Sequence, residues 1–112
     1  MNNPTYSQIV ALYFQSFCRK DCASLEVLLS DHVKLSDWMT VITGRDNLLL
    51  HNQKFFDSVN TLRIDVEKIA LGHQCVIAEI RVILDNKIVA NVVDVFDFDS
   101  DNKIQQIRAY KQ

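Results

Sequence analysis

Near Asn60 the spacing of apolar residues changes for the rest of the chain, and that change constrains the fold more than any other feature. Before it, Tyr6, Ile9, Val10, Tyr13, Phe14 and Phe17 recur at the intervals of one helical face. Asn3 can cap this helix and Pro4 suits its first turn, where a missing N–H costs nothing; the helix is expected to end near Arg19. Asp21 offers a second cap, and Leu25, Leu28 and Leu29 form a short stripe that closes a helical hairpin before Ser30-Asp31. Val33, Leu35 and Asp37 then alternate with Lys34, Ser36 and Trp38, the period of a strand, so Asp37 is expected on the face of Val33 and Leu35. Thr43-Gly44-Arg45-Asp46 has capping-box spacing with Asp in the acidic position, and Leu48, Asn52, Phe55, Phe56 and Val59 follow at helical intervals, predicting a third helix.

After Asn60 the period is two. Leu62 to Val66, Val76 to Leu84, Ile88 to Phe98 and Ile104 to Tyr110 read as four strands. The separators Gly72-His73, Asp85-Asn86 and Asp99-Ser100-Asp101-Asn102 tolerate tight turns, so the strands are expected to meander antiparallel. Helices first and strands last is the signature of an α+β fold. At 112 residues, with no repeat or linker, the chain reads as one domain over 1–112.

Several classes of function are excluded at this level. Net charge is -2 with Lys and Arg scattered singly, so no basic stripe exists to bind nucleic acid. No apolar run approaches the ~20 residues needed to cross a bilayer, and Met1 to Thr5 lacks the features of a secretory signal. The cysteines Cys18, Cys22 and Cys75 are odd in number and fit reduced thiols, which agrees with a cytoplasmic protein. Gly44 and Gly72 are the only glycines, too few for a dinucleotide-binding or phosphate-binding glycine loop. His32, His51 and His73 show no zinc-ligand spacing, so no metal is expected.

Three polar residues sit where the pattern is otherwise apolar: Tyr13 in the first helix, Asp37 at the end of the first strand, and Asp94 between Val92 and Phe96. A buried carboxylate is costly without a partner, so each needs a reason. Apolar neighbours on its face would raise the pKa of Asp94 by desolvation. Each residue also has a structural reading: Tyr13 packed with its hydroxyl satisfied, Asp37 capping a turn, Arg81 paired with Glu79 or Asp94.

Helix one, the turn at Asp21, the strand to Asp37-Trp38, Gly44, and Val93-Asp94-Val95-Phe96 with Lys103-Ile104 together resemble the succession of the nuclear transport factor 2-like, SnoaL-like superfamily across nearly the whole chain. The resemblance implies a cystatin-like, SnoaL-like fold, in which three N-terminal helices and a cone-shaped, curved antiparallel sheet enclose a pocket. Within that superfamily the pocket residues most resemble ketosteroid isomerase. That likeness implies that Asp37 is a general base removing a proton next to a carbonyl, while Tyr13 and a protonated Asp94 donate to the developing oxyanion, with no cofactor. The family's hydrogen-bonding tyrosine on helix three corresponds to Asn52, with His51 beside it. If Asp85-Asn86 makes a two-residue hairpin, simple pairing would put Glu79 and Arg81 on the face of Asp94, where the isomerase has apolar walls.

The expected ligand is a small hydrophobic or carbonyl-containing molecule. An alternative is a noncatalytic binding module with Phe17, Trp38, Phe55 and Phe96 as walls and the charged pair for orientation. A third reading, epoxide hydrolysis, resembles a related branch with an Asp-Arg-Asp set, but its last acidic position corresponds here to Ala109. The outer sheet face, with Val93 and Val95 near Asp97, is expected to pack against a second copy, as members of this superfamily commonly form dimers.

Overall fold

The computed structural model describes residues 4–112, so the expected cap Asn3 lies outside the described residues. Helix α1 (Tyr6–Cys18) is capped by Thr5, not by an earlier residue. The Thr5 hydroxyl accepts from the Gln8 N–H while Gln8 Oε1 accepts from the Thr5 N–H, a reciprocal box that satisfies two otherwise orphaned donors. Pro4 therefore precedes the cap and is not part of the first turn. Helix α2 (Cys22–Leu28) begins where expected, its Asp21 carboxylate accepting from the Ser24 N–H and hydroxyl.

Leu29, expected at the end of the α2 stripe, instead opens strand β1 (Leu29–Ser36). A three-residue strand β2 (Val41–Thr43), too short to show a period, pairs with it. Because Thr43 is held in β2, the expected capping box does not form. Helix α3 (Arg45–Ser58) starts at Gly44, which has φ +96° and makes no side-chain cap. That left-handed backbone is what glycine permits at low cost.

The four period-two segments are strands β3 (Leu62–Gly72), β4 (Cys75–Leu84), β5 (Lys87–Phe98) and β6 (Ile104–Lys111). They meander antiparallel as expected, and β6 then pairs in parallel with β1. The sheet is thus mixed, six strands in the order β2-β1-β6-β5-β4-β3. Three helices with this open sheet make an α+β fold.

Asp85 and Asn86 both have positive φ, the backbone of a tight two-residue hairpin. Pairing begins as that turn dictates, Leu84 with Lys87 and Ile83 with Ile88, but Val82 then pairs with Ala90. Val89 is the extra residue of a β-bulge, and one extra residue reverses which face each later side chain occupies. Asp94 therefore lies opposite Ala78, and Val92 opposite Ile80. Glu79 and Arg81 point to the other side of the sheet, contrary to the simple pairing. Arg81 Nη2 approaches Glu67 Oε1 of β3 at 3.4 Å, so its partner is neither Glu79 nor Asp94.

The core lies between the helices and one face of the sheet. Val92, Asp94, Phe96 and Phe98 of β5 are buried on that face while Val93, Val95 and Asp97 alternate outward, as the period predicted. Phe96 packs edge-on against Tyr13 and Phe14 of α1, with centroids 5.2 and 5.6 Å away. All three cysteines are free thiols. Among the described residues no helix is long and apolar enough to cross a membrane.

Candidate functional site

Helices α1 and α3 do not close fully on the inner sheet face, and a cavity of about 280 Å³ remains between them. Tyr13, Phe17, Asp37, Trp38, Asn52, Phe55 and Asp94 all line it, so residues from four separate stretches of sequence converge on one hollow. Three expected residues do not. Phe96 is fully buried behind Tyr13, where it supports the phenol without forming a wall. Glu79 and Arg81 are carried to the opposite face by the Val89 bulge.

The walls that sequence reasoning missed are mostly apolar: Leu84, Val89 and Ala90 near the hairpin, and Ile107 and Ala109 on β6. Alternation along β6 could have paired Ile107 with Ala109 on one face. The bulged residues carry no such signal, because Ile88-Val89-Ala90 is apolar throughout.

Asp94 is the chemical centre of this hollow. Its side chain projects from β5 between Ala78 of β4 and Ala109 of β6, two side chains that offer it neither charge nor hydrogen bond. Only 8 % of the residue is exposed. Burial pushes its carboxyl up to about 7, since the charged form loses more by leaving water than the neutral form does. Tyr13 is buried as well; its phenol is raised far above the usual range, first by desolvation and then by the negative charge of Asp94. The pair therefore offers a phenol that keeps its proton and a carboxyl held to its proton far more strongly than an exposed one.

Asp37 lies one residue beyond the strand expected to carry it, yet it still lines the cavity with Leu35. Its backbone N–H donates to Thr40 O, and its Oδ1 accepts from the Met39 and Thr40 N–H groups at 2.7 and 2.8 Å. The carboxylate thus pins the loop joining β1 to β2, leaving Oδ2 as the oxygen open to other work. Beside it Trp38 is half exposed at the mouth, with Lys111 Nζ 5.7 Å above its ring. His51 and Asn52 come from α3, the first exposed at the rim and the second buried.

No family model matches this sequence, and no curated protein does. Its fold, by contrast, has many solved counterparts. An NTF2-like protein of unknown function from Cytophaga hutchinsonii superimposes with a TM-score of 0.85 at 11% identity, covering 99% of this chain and 93% of that one. A proposed SnoaL-like polyketide cyclase from Shewanella denitrificans gives 0.85 at 14% identity, over 98% and 92%. A proposed ketosteroid isomerase from Kribbella flavida gives 0.83 at 14% identity, over 96% and 77%. The chain has the NTF2-like, SnoaL-like fold: a mixed sheet with three helices over one face and a pocket between them.

Proposed function

We propose that the cavity binds a small, largely apolar carbonyl compound and acts on it as an isomerase or cyclase-type catalyst. The observation that carries this reading is the buried Asp94, without a charged or hydrogen-bonding partner among the described residues, beside Tyr13 at the wall of the hollow. A phenol and a neutral carboxyl both donate, and donors fixed in a dry site stabilise charge growing on an oxygen with little reorganisation. Asp37 removes a proton from the carbon next to the carbonyl, and the electron pair moves onto the oxygen held by Tyr13 and Asp94. Returning the proton to another carbon gives isomerisation; attack of the enolate carbon on an internal electrophile gives cyclisation. The fold's likeness to a proposed cyclase and a proposed isomerase supports the same class.

The test uses a β,γ-unsaturated cyclic ketone, followed by the absorbance of the conjugated product. Asp37→Asn is expected to lower kcat/KM by roughly 10²-fold or more. Full activity in a folded Asp37→Asn protein would remove Asp37 as the base.

A second reading, a noncatalytic binding module, is favoured by the two backbone hydrogen bonds that already occupy Asp37 Oδ1. It predicts ligand binding with no turnover of any such ketone. Epoxide hydrolysis is disfavoured, because Ala109 stands opposite Asp94 where a second acid is needed and Arg81 is on the far face. A homodimer is proposed through that far face, where Ile77, Val93, Val95 and Tyr110 lie in register. Light scattering at micromolar concentration is expected to give twice the 12.9 kDa of one chain.

A further inference from the structure

Asn52 occupies a place in the apolar stripe of α3, with Leu48 one turn before it and Phe55 and Phe56 one turn after. Only 4 % of it is exposed, and its Nδ2 has no partner among the described residues. Other amides of the helix are served: Asn47 Nδ2 donates to Thr43 O at 3.0 Å, and Gln53 Nε2 donates to Asp57 Oδ1 at 2.9 Å. A buried polar group left unpaired is expensive, and a leucine would fill the stripe without that cost. Asn52 lines the cavity while Nδ2 itself is closed off from it, so a turn of the side chain is what brings the amide to a group of the occupant.

The three polar points come from different walls, Tyr13 from α1, Asp94 from β5 and Asn52 from α3. Between them the surface is apolar, and Phe17 and Phe55 lie stacked with centroids 6.0 Å apart, a surface suited to a flat ring. A hollow of about 280 Å³ has room for a small ring system.

We propose that the substrate is a cyclic hydroxy ketone, its carbonyl oxygen held by Tyr13 and Asp94 and its hydroxyl held by Asn52. This rests on the functional reading above and narrows its substrate class. A hydroxyl suits either orientation of the Asn52 amide, because it both donates and accepts. Asn52 is thereby a specificity-determining residue.

Calorimetric titration of the full chain with 2-naphthol, whose oxygen imitates an enol, and with the isomeric dihydroxynaphthalenes tests this. At least one diol is expected to bind about 10-fold more tightly than 2-naphthol, the worth of one well-placed hydrogen bond. Asn52→Leu is expected to erase the margin of the diol over 2-naphthol and to raise Tm, whereas a residue with a purely structural role would lower Tm on replacement. Asn52→Ala repeats the affinity test should the leucine variant not fold. If 2-naphthol binds and no diol gains, or the gain survives both variants, the hydroxyl assignment is overturned while the carbonyl site stands. If no naphthol binds, the functional reading itself fails and takes this proposal with it.

Discussion

Asp97 faces outward from β5 and accepts a hydrogen bond from Arg108 Nη2 at 2.9 Å, in a pair that water reaches. Asp94, three positions earlier on the same strand, faces the cavity between Ala78 and Ala109 and meets no cation among the described residues. The residue type is the same and the backbone is continuous; only the face differs. The outer carboxylate has a guanidinium and solvent beside it. The inner one is stripped of water, so a proton is the least costly way to remove its charge. The comparison teaches that strand parity, more than residue type, makes an aspartate a partner in a surface ion pair or a buried acid at the wall of a pocket.

The largest effect that would sharpen this contrast is on stability against pH. Below about pH 4 Asp94 is protonated in both the folded and the unfolded chain and costs nothing. Between its ordinary 3.8 and about 7 the unfolded chain has lost the proton while the folded chain keeps it, so stability falls as pH rises. Above that range the loss is complete, at roughly 4 kcal/mol for a shift of this size. Denaturant titrations of the wild type and Asp94→Asn should show the variant gaining by up to that amount between pH 4 and pH 8. A constant difference across the range would mean that Asp94 carries no such penalty.

A second variant breaks the contrast by moving the outer arrangement inward. Ala109→Arg places a cation on β6 opposite Asp94, and a cation that close is expected to lower the carboxyl's titration midpoint by roughly 1–3 pH units. Its proton, and with it the donor, would be lost at neutral pH, and naphthol affinity should fall with it. The smallest effect belongs to the outer face. Arg81→Ala removes the half-exposed contact to Glu67 and should change stability by about 0–1 kcal/mol, with ligand binding unaltered. A marked loss of binding in Arg81→Ala would mean that Arg81 reaches the pocket after all.

The sequence revealed the helices, the four long strands and the faces of β5, because each rests on a period that local residues repeat. It also placed Tyr13, Asp37 and Asp94 at one pocket, through a resemblance spread over most of the chain. What it concealed was nonlocal or aperiodic. Val89 is one apolar residue in an apolar run, so nothing marks it as the bulge that turns Glu79 and Arg81 away from Asp94. The parallel pairing of β1 with β6 joins opposite ends of the chain, and no local pattern encodes it. β2 is too short to alternate visibly. The Thr5 cap was legible, since Thr5 and Gln8 have the spacing of a capping box, but Asn3 and Pro4 offered a competing start.

The proposed chemistry depends on whether Asp94 holds a proton near neutral pH. Carbon-13 NMR of the aspartate carboxyls across a pH titration reads this directly, with Asp94→Asn assigning the signal. A midpoint near 7 for Asp94 is the predicted result. A midpoint at or below its ordinary 3.8 would make Asp94 a carboxylate throughout the physiological range, unable to donate to an oxyanion, and would contradict the account.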